Sequence, residues 1–281
     1  MIYVLVAVYG VALGSFVNAL AWRSYKRFEL TEAKISEKKR KAEIKKLSVA
    51  RGRSMCPHCE HTLGAKDLVP VVSWVMLRGR CRYCGKKIAA QYPLIELFFV
   101  LLLLVSFIFW PLSLSSGVGV VTFVVWSQVL VCMVALSIID KSHQILPTPL
   151  VYQFGTTSLT LVALTAYMQD DINVVKDAFI GAAVLGLLFW AIYVLSHEKW
   201  VGGGDVRLLV GIGILLGWQG GLLAVVIASY IGTLLLIVLL LAGKYRRRMR
   251  IAFGPLLLAG SYIVLLWGRD MIEAYKRVSG L

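Results

Sequence analysis

The chain has 281 residues, a formal net charge of +15 and a hydrophobic fraction of 59%, with a mean hydropathy of +0.78. So much apolar surface exceeds what one soluble core buries, which excludes a soluble globular domain and leaves an all-α polytopic membrane protein. Strong positive charge could suit a nucleic acid, but a large loop beside anionic lipid carries it equally well, and no nucleic-acid partner is expected.

A helix needs about 20 mostly apolar residues to cross a bilayer core of roughly 30 Å. Charge-free runs of that kind are Ile2 to Trp22, Leu97 to Ile139, Gln144 to Gln169, Ala178 to Ser196, Leu208 to Gly243 and Ile251 to Gly268. Turn residues divide two of them, at Trp110 to Gly117 and at Gly217 to Gly221, so about eight transmembrane helices are predicted. The organisation follows: a first membrane helix (1–23), a loop (24–92), a membrane core (93–268) and a C-terminal tail (269–281). The first run lacks a basic leader and is followed by its positive charges, so it is expected to stay as an anchor. The sixth helix, about Val206 to Gly217, is short for a full crossing.

Loop 24–92 has two parts. Residues 24–53 are mostly Lys, Glu, Arg and Ala, with Ile35, Ile44 and Leu47 sparsely placed, as in a solvated or membrane-surface helix. The second part carries Cys56-Pro57-His58-Cys59 and Cys81-Arg82-Tyr83-Cys84, separated by 21 residues. Two Cys-x-x-Cys knuckles at that separation can close a tetrahedral thiolate site around a structural Zn²⁺, with no position left open for catalysis. A disulfide is the weaker alternative in a loop that faces the cytosol. His58 and His61 lie near enough to substitute as ligands, although both also suit an ordinary surface, and Cys132 suits helix packing.

Orientation comes from the positive charges, which resist translocation. All but four of the 30 Lys and Arg (Lys176, Arg269, Lys276 and Arg277) fall on one side if the N-terminus is outside. The loop 24–92 and the segments 140–150, 197–207 and 244–250 then face the cytoplasm.

Acids at a membrane boundary are functional candidates by default. Three stand there: Glu96, Asp140 and Asp205. Glu96 could merely complement a helix start. Asp140 ends the third helix, and Asp205 follows Gly202-Gly203-Gly204 at the start of the sixth, on the same side and at similar depth. Each could be a simple helix-end residue, or the two could meet and share one proton, as the carboxyls of an aspartic protease do. The glycines before Asp205 would let the backbone turn tightly. No GxSxG, HExxH or P-loop pattern is present.

These features resemble the GxGD intramembrane aspartyl proteases, and specifically the type IV prepilin peptidases. The likeness rests on Gly202 to Asp205 with Asp140 upstream, and extends over most of the chain. It takes in Gly14-Ser15-Phe16-Val17-Asn18, Arg53 to Cys59, Asp67 to Trp74, Leu77 to Gly85, Tyr92 to Glu96, Leu146-Pro147, Leu215 to Gln219 and Phe253-Gly254-Pro255. The resemblance implies that Asp140 and Asp205 are catalytic, supported by Gly202 and Gly204. It further implies an inner-membrane enzyme that cuts the leader of type IV prepilins and pseudopilins, after a glycine and on the cytoplasmic side, for pilus, type II secretion or competence systems. Members with four cysteines in the loop also methylate the new N-terminus with S-adenosylmethionine. Two positions depart from the pattern: Thr148 stands where the family commonly has Asp, and Arg207 where it usually has Lys. Nothing resembles a Rossmann-type cofactor turn, so the methyl donor is not assigned to residues. Two rival readings are a monofunctional peptidase whose zinc loop is only a substrate-docking or assembly module, and a catalytically idle membrane scaffold or small-solute transporter; the transporter would show an inverted internal repeat, and none is seen.

Overall fold

A computed structural model describes residues 1–33, 36–48, 52, 54–56, 58–244 and 251–279. Ile35, Arg53, Pro57 and the basic stretch 245–250, all used above, lie outside the described residues. Among those described there are helices and turns but no strand, and the chain divides into two compact units, Met1–Phe109 and Trp110–Leu281.

In the first unit α1 (Ile2–Glu32) does not stop at Trp22. Residues 24–32 contain no Gly or Pro to end a helix, and Lys26 pairs with Glu29 at 2.6 Å, so the helix continues into the loop. α2 (Glu37–Lys46) buries none of its residues, as a solvated helix should, and carries Lys–Glu pairs along its surface. Arg23 holds the segment that follows by donating to the carbonyls of Ser48 (3.1 Å) and Gly52 (2.9 Å). A short α3 (Val72–Met76) precedes α4 (Gln91–Ile108).

α4 packs on α1 through small residues. A Cβ on Gly14 would lie 2.8 Å from the Cα of Glu96, and one on Gly10 would lie 3.2 Å from the Cα of Val100. This is the Gly-x-x-x-Gly spacing by which helices in lipid approach closely. Asn18, on the same face, donates to the Tyr92 carbonyl at 3.1 Å.

The second unit contains α5 (Gly117–His143), α6 (Thr148–Gln169), α7 (Asn173–Leu195), α8 (Gly203–Leu241) and α9 (Gly254–Ser279). α5 is the most buried of the membrane-length helices. Its Trp126 is wholly enclosed and stacks on Tyr262 of α9, with ring centroids 6.1 Å apart.

α8 breaks at Gly217, whose φ of 69° and ψ of −176° are not helical. Along α7, Gly186 meets Val210, Gly181 meets Gly213 and Asp177 meets Gly217, after which Gly221 returns to Leu185. The two arms of α8 therefore run in opposite directions, as the sequence predicts from Gly217-Trp218-Gln219-Gly220-Gly221. The first arm, residues 203–216, is about 21 Å long and falls short of the hydrocarbon thickness. Asp177 sits in the first turns of α7 with its carboxylate against the Gly217 break. A new helix starts there, and its open N–H groups favour an anion.

Among the described residues six helices are long and apolar enough to cross a membrane: α1, α4, α5, α7, α8 and α9. The predicted eight segments are recovered when the two arms of α8 and the more polar α6 are each counted. Hydroxyls lower the hydropathy of α6, yet those of Thr157, Thr160 and Thr165 donate to carbonyls one turn earlier, so the helix satisfies them itself.

Replacing Gly217 with Ala should force a side chain into a φ that L residues avoid, and against Asp177 as well. We expect a loss of about 1–3 kcal/mol, seen as a lower melting temperature of the detergent-purified protein.

Candidate active site and cysteine cluster

Three helix ends converge at one end of the second unit. Asp140 lies in the last turn of α5 and is buried, with 6% of its surface exposed. Its Oδ2 accepts a hydrogen bond from the Gly254 amide at 3.0 Å, at the first residue of α9. A Cβ at Gly254 would come 2.6 Å from that oxygen, so the approach requires glycine. Pro255 follows, where a helix start needs no further N–H.

Asp205 is the third residue of α8, half-buried, and its Oδ2 accepts from the Gly202 amide at 3.4 Å. It is near enough to Asp140 for the charge of one carboxyl to act on the other. Both aspartates therefore stand at this end of the second unit, and the exposed Gly202 and Arg207 beside Asp205 leave a path for water.

The glycines work differently from the sequence expectation. Gly202 has φ −80° and ψ 149°, an extended conformation open to any residue, and Gly203 and Gly204 are helical. None of the three is a positive-φ glycine. Gly204 instead allows a close approach: a Cβ there would lie 3.2 Å from Leu146, in the segment between α5 and α6.

The two positions that depart from the family pattern meet. Arg207 donates from Nη1 to the Thr148 hydroxyl at 2.6 Å and from Nε to the Gly203 carbonyl at 3.1 Å. The guanidinium thus ties the start of α6 to the start of α8, one turn from Asp205.

In the first unit the thiols of Cys56, Cys59, Cys81 and Cys84 all lie within 4.8 Å of one another. Cys56 and Cys84 are 3.9 Å apart, close to the roughly 3.8 Å edge of a tetrahedron with 2.3 Å metal–sulfur bonds. Both knuckles use one backbone pattern. Cys56 N–H donates to the His61 carbonyl and Glu60 N–H to Cys56; Cys81 N–H donates to Lys86 and Gly85 N–H to Cys81. Glu60 and Gly85 both adopt positive φ, and only glycine does so without strain. Burial works to raise the Cys56 thiol, but the amides of His58 and Cys59 and the neighbouring thiols bring it down to about 7. The His61 amide favours a thiolate at Cys59, yet burial and the thiols of Cys56 and Cys84 push it up to about 11. Four sulfurs this close ionise together only around a cation. His61 stacks on Tyr83 with centroids 3.7 Å apart, so it serves packing.

The knuckles are braced by Asp67, whose side chain is only 5% exposed and accepts from Arg82 Nε at 2.7 Å and from the Tyr83 hydroxyl at 3.1 Å. The Arg82 hydrogen bond, ahead of those from Gly64 and Tyr83, holds this carboxyl below the ordinary range.

Glu96 lies elsewhere, in the first unit, buried to 7% exposure. Its Oε2 accepts from the Val71 amide at 2.7 Å, and Ser15 also hydrogen-bonds to it. Val71 has φ 59° and ψ −52°, with Val72 N–H donating to the Pro70 carbonyl at 2.5 Å. This is a γ-turn of the strained, positive-φ kind, on a β-branched residue. No sequence signal marks it, because no glycine stands there.

Residues 8–110 match the family described as Bacterial Peptidase A24 N-terminal domain, and residues 127–237 match the Type IV leader peptidase family. The chain is 34% identical to a prepilin leader peptidase/N-methyltransferase of Aeromonas hydrophila, over 79% of this chain and 74% of that protein. It is 32% identical to the protein of that name from Xanthomonas campestris pv. campestris, over 97% and 93%. It is also 32% identical to the type 4 prepilin-like proteins leader peptide-processing enzyme of Escherichia coli O78:H11, over 92% and 91%. No solved structure matches.

Two outcomes follow from the geometry. The purified protein should carry about one divalent metal per chain; by elemental analysis each Cys→Ser variant should lose most of it, while His58→Ala and His61→Ala keep it. Thr148→Val should lower the melting temperature by about 2 °C and Arg207→Met by more, since it also removes the donor to the Gly203 carbonyl; the double variant should fall no further than Arg207→Met, because the Thr148 contact is already gone in it.

Proposed function

Because the chain belongs to the type IV leader peptidase family, we propose that it cleaves the leader from type IV prepilins and pseudopilins, and then methylates the new N-terminus. Its site of cleavage is the Asp140–Asp205 pair, and the observation that carries this is their convergence beside Gly254, one buried and one half-open to water.

Two carboxyls in mutual reach hold one proton between them near neutral pH, since both cannot ionise cheaply. The ionised carboxylate takes a proton from a water as its oxygen attacks the scissile carbonyl. The protonated carboxyl donates to the carbonyl oxygen as it gains charge. Collapse of the tetrahedral intermediate passes a proton to the leaving amine, and no acyl-enzyme forms. The Gly254 amide keeps Asp140 oriented, and Arg207 with Thr148 fixes the turn that carries Asp205.

Cleavage after a glycine, with Phe as the new N-terminal residue, is the specificity proposed. S-adenosylmethionine is the methyl donor, and it supplies an electrophilic methyl group to the freed amine. Zn²⁺ in the four-cysteine cluster has a structural role. The chain is a multi-pass protein of the bacterial inner membrane with its N-terminus outside, and its active site faces the cytoplasm, where the basic loops lie. Type IV pilus or type II secretion assembly would use its products. The basic loops repel a basic leader, so recognition rests on packing of the substrate helix and on local acids.

Asp140→Asn and Asp205→Asn should each lower cleavage of a purified prepilin by about 10²–10⁴-fold, read by mass spectrometry. Cleavage at the wild-type rate by either variant would remove that residue from the chemistry. The mass of the processed N-terminus, with S-adenosylmethionine supplied, should be higher by one methyl group.

A further inference from the structure

A cavity of about 180 Å³ lies within the first unit, between α1, the N-terminal end of α4 and the segment that carries the two knuckles. It has room for on the order of ten waters. Trp22, Trp74 and Tyr92 contribute to its wall, together with Glu96.

Glu96 carries no ion pair among the described residues. Its two hydrogen bonds come from neutral donors, the Val71 amide and the Ser15 hydroxyl. The other ionic groups of the wall have partners: Arg82 pairs with Asp67, and Arg23 donates to the Ser48 and Gly52 carbonyls. Neutral donors orient a buried carboxylate but leave its charge uncompensated, and a cation entering the cavity would complete it. A carboxylate beside several aromatic side chains suits an organic cation that has no proton to donate, which is held by charge and by ring faces alone. A primary ammonium would instead want several acceptors. The strained turn at Val71, fixed by Glu96, is the kind of backbone that persists at ligand clamps.

We propose that this cavity binds the sulfonium methyl donor, S-adenosylmethionine, with Glu96 as counter-ion to the sulfonium and Trp22, Trp74 and Tyr92 as part of its wall. The inference rests on the methyl-transfer half of the proposed function. It does not involve the aspartate pair.

The test uses the full-length protein in lipid nanodiscs, titrated calorimetrically with S-adenosylmethionine and separately with S-adenosylhomocysteine, whose sulfur is neutral. The wild type should prefer the sulfonium form. Glu96→Gln keeps an acceptor for the Val71 amide and removes only the charge. It should weaken S-adenosylmethionine binding about tenfold or more while changing S-adenosylhomocysteine less than about threefold. Metal content and melting temperature report whether that variant is folded. Ala19→Phe, which puts a ring into the cavity wall without altering charge, should weaken both ligands about tenfold, and decides the matter if Glu96→Gln does not fold. Wild-type binding in either folded variant, or equal losses of both ligands in Glu96→Gln, overturns the proposal. Digestion of a prepilin in the same preparation separates the two levels. A wild type that methylates its product while both variants bind the donor normally overturns the cavity assignment alone. A wild type that cleaves but neither binds the donor nor methylates overturns the methyl-transfer reading, and this inference with it.

Discussion

The hydrogen bond from the Gly254 amide to Asp140 is the contact on which the second unit turns. A carboxylate with 6% of its surface exposed, at the end of a membrane-length helix, must find its donors in the protein. The start of α9 supplies one, because the first N–H groups of a helix have no partner within it and its dipole favours an anion. That requirement fixes where α9 begins. The register of α9 then sets Tyr262 against Trp126 and Gly260 against the backbone of Ala224 in the second arm of α8. The first arm of α8 returns to the same end and delivers Asp205.

What lets these helices lie so close is the absence of side chains at chosen points. In lipid, apolar surface gives no net drive for helices to associate, so contact depends on van der Waals fit and close backbone approach. Gly10 and Gly14 serve α1 on α4, Gly181 and Gly213 serve α7 on α8, and Gly260 serves α9 on α8. The glycines next to Asp205 belong to this group as well: Gly204 admits Leu146, and none adopts a left-handed turn. Gly217 is the exception, where conformational freedom itself reverses the chain.

The sequence made legible whatever depends on composition, spacing or local turn chemistry. Apolar runs located the helices, the turn residues around Gly117 and Gly217 divided the two long runs, and the paired Cys-x-x-Cys spacing anticipated a four-thiol cluster. The convergence of Asp140 and Asp205 was readable only as equal depth at a membrane face; the anchor of Asp140 on α9 was not, because nothing near Phe253-Gly254-Pro255 states which carboxylate it will meet. The extension of α1 past Trp22 was missed because apolarity, which marks the membrane boundary, says nothing about where a helix stops. The γ-turn at Val71 was invisible for a related reason: local preference argues against it, and a distant Glu96 imposes it. Nothing local marks Asp177, and only the path of α8 shows it at a chain reversal.

The Arg207–Thr148 contact joins two residues that stand 59 positions apart. In the pattern this chain resembles, the same two places commonly hold Lys and Asp, a pair of opposite charges. An ammonium that lost its carboxylate would be left with a poor partner, whereas a guanidinium has five N–H groups and can serve a hydroxyl and the Gly203 carbonyl at once. Charge is therefore not what holds this turn: the planar fork of Arg207 spans a hydroxyl and a carbonyl on two different helix starts, and the position of Asp205 depends on hydrogen-bond geometry.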